Sequence, residues 1–90
     1  IEREPVEYSI NITEDRFDPD LIDVMVGDTI TWNNQDQVSH SVVSLDGEFN
    51  SGEILAGGNF RMTITETFTV GKIYDYECDL EGFIGSINVM

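Results

Sequence analysis

The sequence predicts an all-β fold, a Greek-key β-sandwich of about seven to eight strands, with residues 1–90 forming a single domain. Apolar residues recur at alternate positions along much of the chain, and no segment keeps a helical period. The composition, with 40% apolar residues and 5 Phe, 3 Tyr and 1 Trp, is sufficient for a packed core. Many short strands without helices favour two packed sheets.

The first part of the chain is predicted to contain three strands. Residues 6–12 alternate apolar and polar side chains, which indicates a half-buried strand. Residues 18–20, Asp-Pro-Asp, then turn the chain. Residues 21–26 form a second extended run, and Gly27 with Asp28 separates it from residues 29–32. We expect these last two runs to pair as a hairpin.

The middle of the chain alternates between loops and strands. Residues 33–37 are polar and are predicted to form a loop, and residues 38–43 are predicted to form a strand, with His40 at its start or just ahead of it. The glycine-rich residues 46–58 favour a long irregular connection. Residues 60–64 alternate again and predict a further strand.

The last two predicted strands, residues 72–78 and 84–89, are joined by a short loop. Cys78 continues the face formed by Tyr74 and Tyr76. It is the single cysteine of the chain, as His40 is the single histidine. A thiolate and an imidazole together suit copper or zinc, so these two residues are the candidate metal ligands.

Charge and composition exclude several classes of function. With 4 basic and 18 acidic residues the net charge is −14, which disfavours nucleic acid and anionic lipid and favours cationic partners or a saline medium. No apolar run approaches the roughly 18 residues that a membrane span needs. With one histidine and no Ser/His/Asp set, the chain does not resemble an enzyme.

An extracytoplasmic location is expected, whether periplasmic, secreted or tethered to the outer face of a membrane. One cysteine excludes an internal disulfide, and metal ligation explains a lone thiol in an exported protein. The chain begins at Ile1, which fits the removal of a signal or anchor.

Several motifs occur in order from about Val24 to the C-terminus. They are residues 26–34 (VGDTITWNN), His40 with Val42, Phe49 with Ser51 and Gly52, residues 71–78 (GKIYDYEC), and Gly85 with Ile87 and Val89. In order and spacing they resemble the plastocyanin and amicyanin type of cupredoxin. The resemblance implies a single copper ion per chain and single-electron transfer. For such a protein the acidic surface could dock a cationic redox partner.

The resemblance also implies a ligand set. The family takes one histidine from the loop after the tryptophan-bearing strand, and the other three ligands, Cys-x-x-His followed by Met, from the loop between the last two strands. His40 and Cys78 match the first two positions. Glu81 stands where the second histidine falls, and no methionine precedes Gly85. Either Phe83 or Ile84 would then face the axial position.

A carboxylate in place of histidine changes the expected chemistry. A site of His40, Cys78 and Glu81 would favour Cu(II) over Cu(I) and lower the reduction potential, and the same donors also suit zinc. Two alternatives remain open for the third ligand. Glu81 can instead belong to a solvated acidic face, and Glu48 or Glu53 can complete the site.

Further residues are expected around the metal ligands. In the resembled family the residues that follow the two ligands tie the ligand loops together by hydrogen bonds, and these are Ser41 and Asp79 here. Phe83 is predicted to lie beside the metal. Trp32 and the tyrosines 74 and 76 are expected to fill the core.

Three functions therefore remain open for this chain. The favoured one is a mononuclear copper protein that moves single electrons. The second is a cupredoxin-like binding or assembly module that has lost redox copper. The third is copper storage or delivery, which an open axial position would help.

Overall fold

The computed structural model describes residues 4–78 and 82–90, and within them eight strands form two four-stranded sheets. The strands are β1 Glu7–Ile12, β2 Phe17–Asp18, β3 Leu21–Val24, β4 Thr29–Asn34, β5 Val43–Ser44, β6 Asn59–Thr63, β7 Ile73–Glu77 and β8 Ile84–Val89. One sheet has the order β2-β1-β4-β6 and the other β3-β8-β7-β5. The predicted all-β sandwich is confirmed.

The chain changes sheet at every connection between β2 and β7. Two strand pairs are parallel, β1 with β4 and β3 with β8, and the other pairs are antiparallel. Parallel neighbours need a crossover rather than a tight turn. The loops that follow β4 and β7 meet at one end of the sandwich, as the contact between His40 and Cys78 shows.

The core lies between the sheets and is dominated by aromatic rings. Trp32 of β4 and Tyr76 of β7 are fully buried and make an edge contact, with ring centroids 5.5 Å apart. Phe17 packs edge-on against Tyr76 at 4.6 Å. A Cβ at Gly85, opposite Tyr76 in the ladder, would lie 2.4 Å from its phenol, so only glycine leaves room for this ring.

The predicted hairpin between residues 21–26 and 29–32 is wrong, because these runs lie in different sheets. β3 pairs with β8, whereas β4 pairs with β1 and β6. The cause lies at the bend between them. The buried Asp28 carboxylate accepts hydrogen bonds from the backbone N–H groups of Met25 and Val6, which holds the crossover against the start of β1.

Two short strands also differ from the prediction. β2, Phe17–Asp18, was not predicted and ends within the turn that was predicted over residues 18–20. The strand predicted over residues 38–43 is reduced to β5, and His40 lies ahead of it in an isolated bridge with Ile54. Between His40 and β5, the Val42 N–H donates its hydrogen bond to the Ser51 side chain. This backbone group therefore does not pair with a neighbouring strand.

No helix in the described part of the chain is long and apolar enough to cross a membrane.

Candidate metal centre

The backbone on both sides of His40 is fixed by the long connection before β6. The His40 N–H donates to the Ile54 carbonyl at 3.0 Å, and the Ile54 N–H donates back at 2.7 Å. The connection predicted to be irregular thus forms isolated bridges, Ile54 with His40 and Asn50 with Val43. The bridge with Ile54 places the His40 side chain in the interior, where its exposed fraction is 0%.

Cys78 reaches the same place from the end of β7. Tyr74 and Tyr76 point into the core on alternate positions, and Cys78 continues this alternation with 0% exposure. Its N–H donates to the Phe83 carbonyl at 3.1 Å, and its carbonyl accepts from the Gly82 N–H at 2.6 Å. The two bonds tie the thiol-bearing residue to the far side of its loop.

The two side chains meet in the interior. The His40 Nδ1 atom lies 3.4 Å from the Cys78 Sγ atom. A thiolate and an imidazole nitrogen bound to one zinc ion, at about 2.3 and 2.0–2.1 Å, lie roughly 3.5–3.8 Å apart for angles between tetrahedral and trigonal. The observed separation is close to that range, so this donor pair fits one metal ion with little movement.

The other nitrogen of His40 is held by an unpredicted residue, Asp36. The His40 Nε2 atom lies 2.8 Å from the Asp36 Oδ2 atom. An ionised carboxylate only accepts hydrogen bonds, so Nε2 carries a proton, and in the neutral ring Nδ1 then directs its lone pair toward Cys78. This tautomer is the one that metal binding through Nδ1 requires.

The same contacts set the electrostatics of the metal-free pair. Burial, the largest single influence, lowers the pKa of His40, but the hydrogen bonds to Asp36 and Cys78 outweigh it, so the pKa lies above its ordinary value. The hydrogen bond from His40 holds the pKa of Asp36 below its ordinary value. Asp36 is therefore an anion beside the imidazole.

Asn34 shapes the loop that carries Asp36. Its buried side-chain amide donates to the carbonyls of Val38 and Ile54, at 2.9 and 3.0 Å, and its side-chain oxygen accepts from the Asp36 N–H at 3.0 Å. Sequence reasoning placed Asn34 and Asp36 in a polar loop and assigned neither a role. The one available signal was an aspartate four residues before the histidine.

Of the two residues considered for the axial position, one packs beside the histidine. The Phe83 ring lies 5.6 Å from the His40 ring and 4.8 Å from the Phe17 ring, between centroids. Ile84 is 53% exposed. Phe83 therefore covers one side of the His40 ring with apolar surface.

Among the described residues, neither Glu48 nor Glu53 joins His40 and Cys78 as a third ligand. Ser41 is buried next to His40. Glu48 accepts a hydrogen bond from Ser44 and lies 3.8 Å from the Lys72 ammonium, and Glu53 is exposed. Asp79 and Glu81 lie outside the described residues. Within residues 4–78 and 82–90, no three His, Cys, Asp or Glu side chains cluster as metal ligands.

Comparison with known proteins identifies the fold through solved structures. No protein-family model matches the sequence, and no curated protein sequence matches it. A purple cupredoxin from Nitrosopumilus maritimus is 26% identical, with a TM-score of 0.76, over 91% of this chain and 98% of that protein. The P94F mutant of amicyanin is 25% identical, with a TM-score of 0.75, over 91% of this chain and 80% of amicyanin.

A larger protein contains a similar domain. The copper-containing nitrite reductase NirK from Thermus scotoductus SA-01 is 23% identical, with a TM-score of 0.79, and the match covers all of this chain but only 23% of the reductase. At this identity the likeness concerns the fold alone. Eight strands in two four-stranded sheets, together with these structural neighbours, show that the chain has the cupredoxin fold.

Proposed function

We propose that this chain is a mononuclear copper protein that transfers single electrons outside the cytoplasm. Its copper is bound by His40 and Cys78, with Glu81 as an altered third ligand. One observation carries the proposal: the only imidazole and the only thiol of the chain lie 3.4 Å apart, both fully buried. Copper bound by these donors would supply a Cu(II)/Cu(I) couple.

The protein matrix around the pair suits electron transfer. His40 is held through its backbone by Ile54 and through its ring by Asp36, and Cys78 is held through its backbone by Phe83 and Gly82. Ligands fixed in this way move little when the charge of the metal changes. Phe83 and the neighbouring core exclude water from the side of the ring that they cover.

The structural neighbours support a copper protein rather than an enzyme. The match to this chain covers most of the purple cupredoxin and of amicyanin, whereas it covers only 23% of the nitrite reductase. In this chain the single histidine is engaged by Asp36 and Cys78. We therefore propose an electron carrier without catalytic activity of its own.

The charge of the chain suggests the kind of partner. A net charge of −14 would steer a cationic redox protein toward this surface and repel nucleic acid. A lone cysteine used for metal ligation is compatible with an extracytoplasmic location. Zinc suits the same donors, and it would make the site structural rather than redox-active.

Titration of the metal-free protein with Cu(II), followed by visible absorption, tests this proposal. We expect an intense thiolate-to-copper charge-transfer band that saturates at one copper per chain. Cys78→Ser replaces the thiolate by a hydroxyl of similar size and should abolish the band. Absence of the band in the wild-type chain, or its survival in Cys78→Ser, would contradict the proposal.

One observation favours a second candidate, a cupredoxin-like binding module without redox copper. Within the described residues no three His, Cys, Asp or Glu side chains are placed to hold one metal ion, because Asp36 contacts the nitrogen of His40 that faces away from Cys78. Under this alternative Cu(II) would bind weakly or not at all, and far-ultraviolet circular dichroism of the folded chain would be unchanged by copper. Tight Cu(I) binding without reversible oxidation would instead indicate storage or delivery.

A further inference from the structure

Both oxygens of the Asp36 carboxylate are engaged by groups of its own loop. Oδ2 accepts from the His40 Nε2–H at 2.8 Å, and Oδ1 accepts from the Gln37 N–H at 2.7 Å. The Asp36 N–H in turn donates to the buried side chain of Asn34. The carboxylate is thus fixed in position and direction rather than free to rotate in solvent.

The contact is also shielded from water. The His40 side chain is 0% exposed and the Asp36 side chain 18% exposed. A charge in such surroundings acts more strongly on its neighbours than the same charge at an open surface. The imidazole ring lies between the carboxylate and the thiol, because Asp36 contacts its Nε2 atom and Cys78 faces its Nδ1 atom.

We infer that Asp36 is a positioning residue of the metal centre: it fixes the His40 ring with Nδ1 toward Cys78 and biases bound copper toward Cu(II). The inference rests on the proposed function, because it concerns copper held by His40 and Cys78. Carboxylates that accept a hydrogen bond from a ligating imidazole orient the ring and raise its basicity. A fixed negative charge beside the site also stabilises the more highly charged Cu(II) more than Cu(I).

Asp36→Asn is the informative variant, since asparagine keeps the shape and can still accept the Nε2–H while the negative charge is lost. We expect Cu(II) affinity to fall by about 10–100-fold and Cu(I) affinity to fall less. A tenfold difference between the two losses corresponds to a reduction potential about 59 mV higher. The charge-transfer band should persist, which shows that the site has not collapsed. Asp36→Ala removes the hydrogen bond as well and should weaken Cu(II) binding further.

Glu66→Gln is the matched control because it removes the same charge far from the site. Glu66 follows β6 beyond Thr63, which pairs with Thr29 at the start of β4, whereas the His40 loop follows the other end of β4. We expect the control to leave both copper affinities and the potential unchanged within about twofold. If the copper-loaded Asp36→Asn and Glu66→Gln variants have equal reduction potentials, the inference is overturned.

Proton nuclear magnetic resonance of the metal-free protein tests the positioning role without copper. The Nε2–H of His40 should give a slowly exchanging, strongly downfield signal in the wild type and in Asp36→Asn, and this signal should be lost in Asp36→Ala. Absence of the signal in the wild type would overturn the positioning role whatever the protein does with copper. A normal signal without a copper charge-transfer band would instead overturn the proposed function, and with it the effect of Asp36 on copper.

Discussion

Replacing His40 by glycine should reduce copper affinity by at least about 100-fold, because loss of an outer partner of a ligand alone costs 10–100-fold. The imidazole is one of only two donors that the described structure brings together, and its Nδ1 faces the thiol at 3.4 Å. The charge-transfer band should weaken or vanish at copper concentrations that saturate the wild type. Competition titration with a chelator of known affinity measures the loss.

Imidazole rescue separates a missing ligand from a disturbed fold. The deleted side chain is fully buried, so His40→Gly leaves a cavity between Asp36 and Cys78 that free imidazole can enter. Added imidazole should restore the band in His40→Gly but produce none in Cys78→Ser. An unchanged copper affinity in His40→Gly would exclude this residue as a ligand.

Restoring histidine at position 81 should convert the spectrum of the copper protein toward an intense blue. If Glu81 ligates, its hard anionic oxygen gives a more tetragonal Cu(II) centre with weaker copper–thiolate covalency, so the wild-type protein should be red or yellow. Glu81→His removes one negative charge from the ligand set and should raise the potential. Glu81→Gln should raise the potential without making the site blue.

A charge change at a neighbouring position provides the control for Glu81. Glu77→Gln removes one negative charge from the end of β7, just before the same loop. We expect it to change the potential much less than either substitution at position 81. If the substitutions at position 81 alter neither spectrum nor copper affinity, Glu81 belongs to the acidic surface and the third ligand is water or another side chain.

The fold was predictable because its main signal is local. Alternation of apolar residues determines which side of each strand faces the core, and it correctly placed Tyr74, Tyr76 and Cys78 on one buried face. Strand partners are a long-range property. The expected hairpin after Val24 fails because the buried Asp28 holds a crossover between sheets, which alternation does not reveal.

The candidate site was likewise predictable only in part from the sequence. His40 and Cys78 could be named from motif order, and the structure brings them together. Asp36 could not be identified from the sequence, because its contact with His40 depends on the path of a polar loop that the buried Asn34 holds. A short loop of polar residues has no period, so its side-chain directions are decided by hydrogen bonds that appear only in the folded chain.

X-ray absorption at the copper edge tests the central claim most directly, because it reports the atoms bound to the metal. With one copper per chain, the account predicts one sulfur neighbour at about 2.3 Å or less together with nitrogen or oxygen neighbours, and loss of the sulfur in Cys78→Ser. A copper environment of nitrogen and oxygen alone in the wild-type protein would contradict copper binding by the His40 and Cys78 pair.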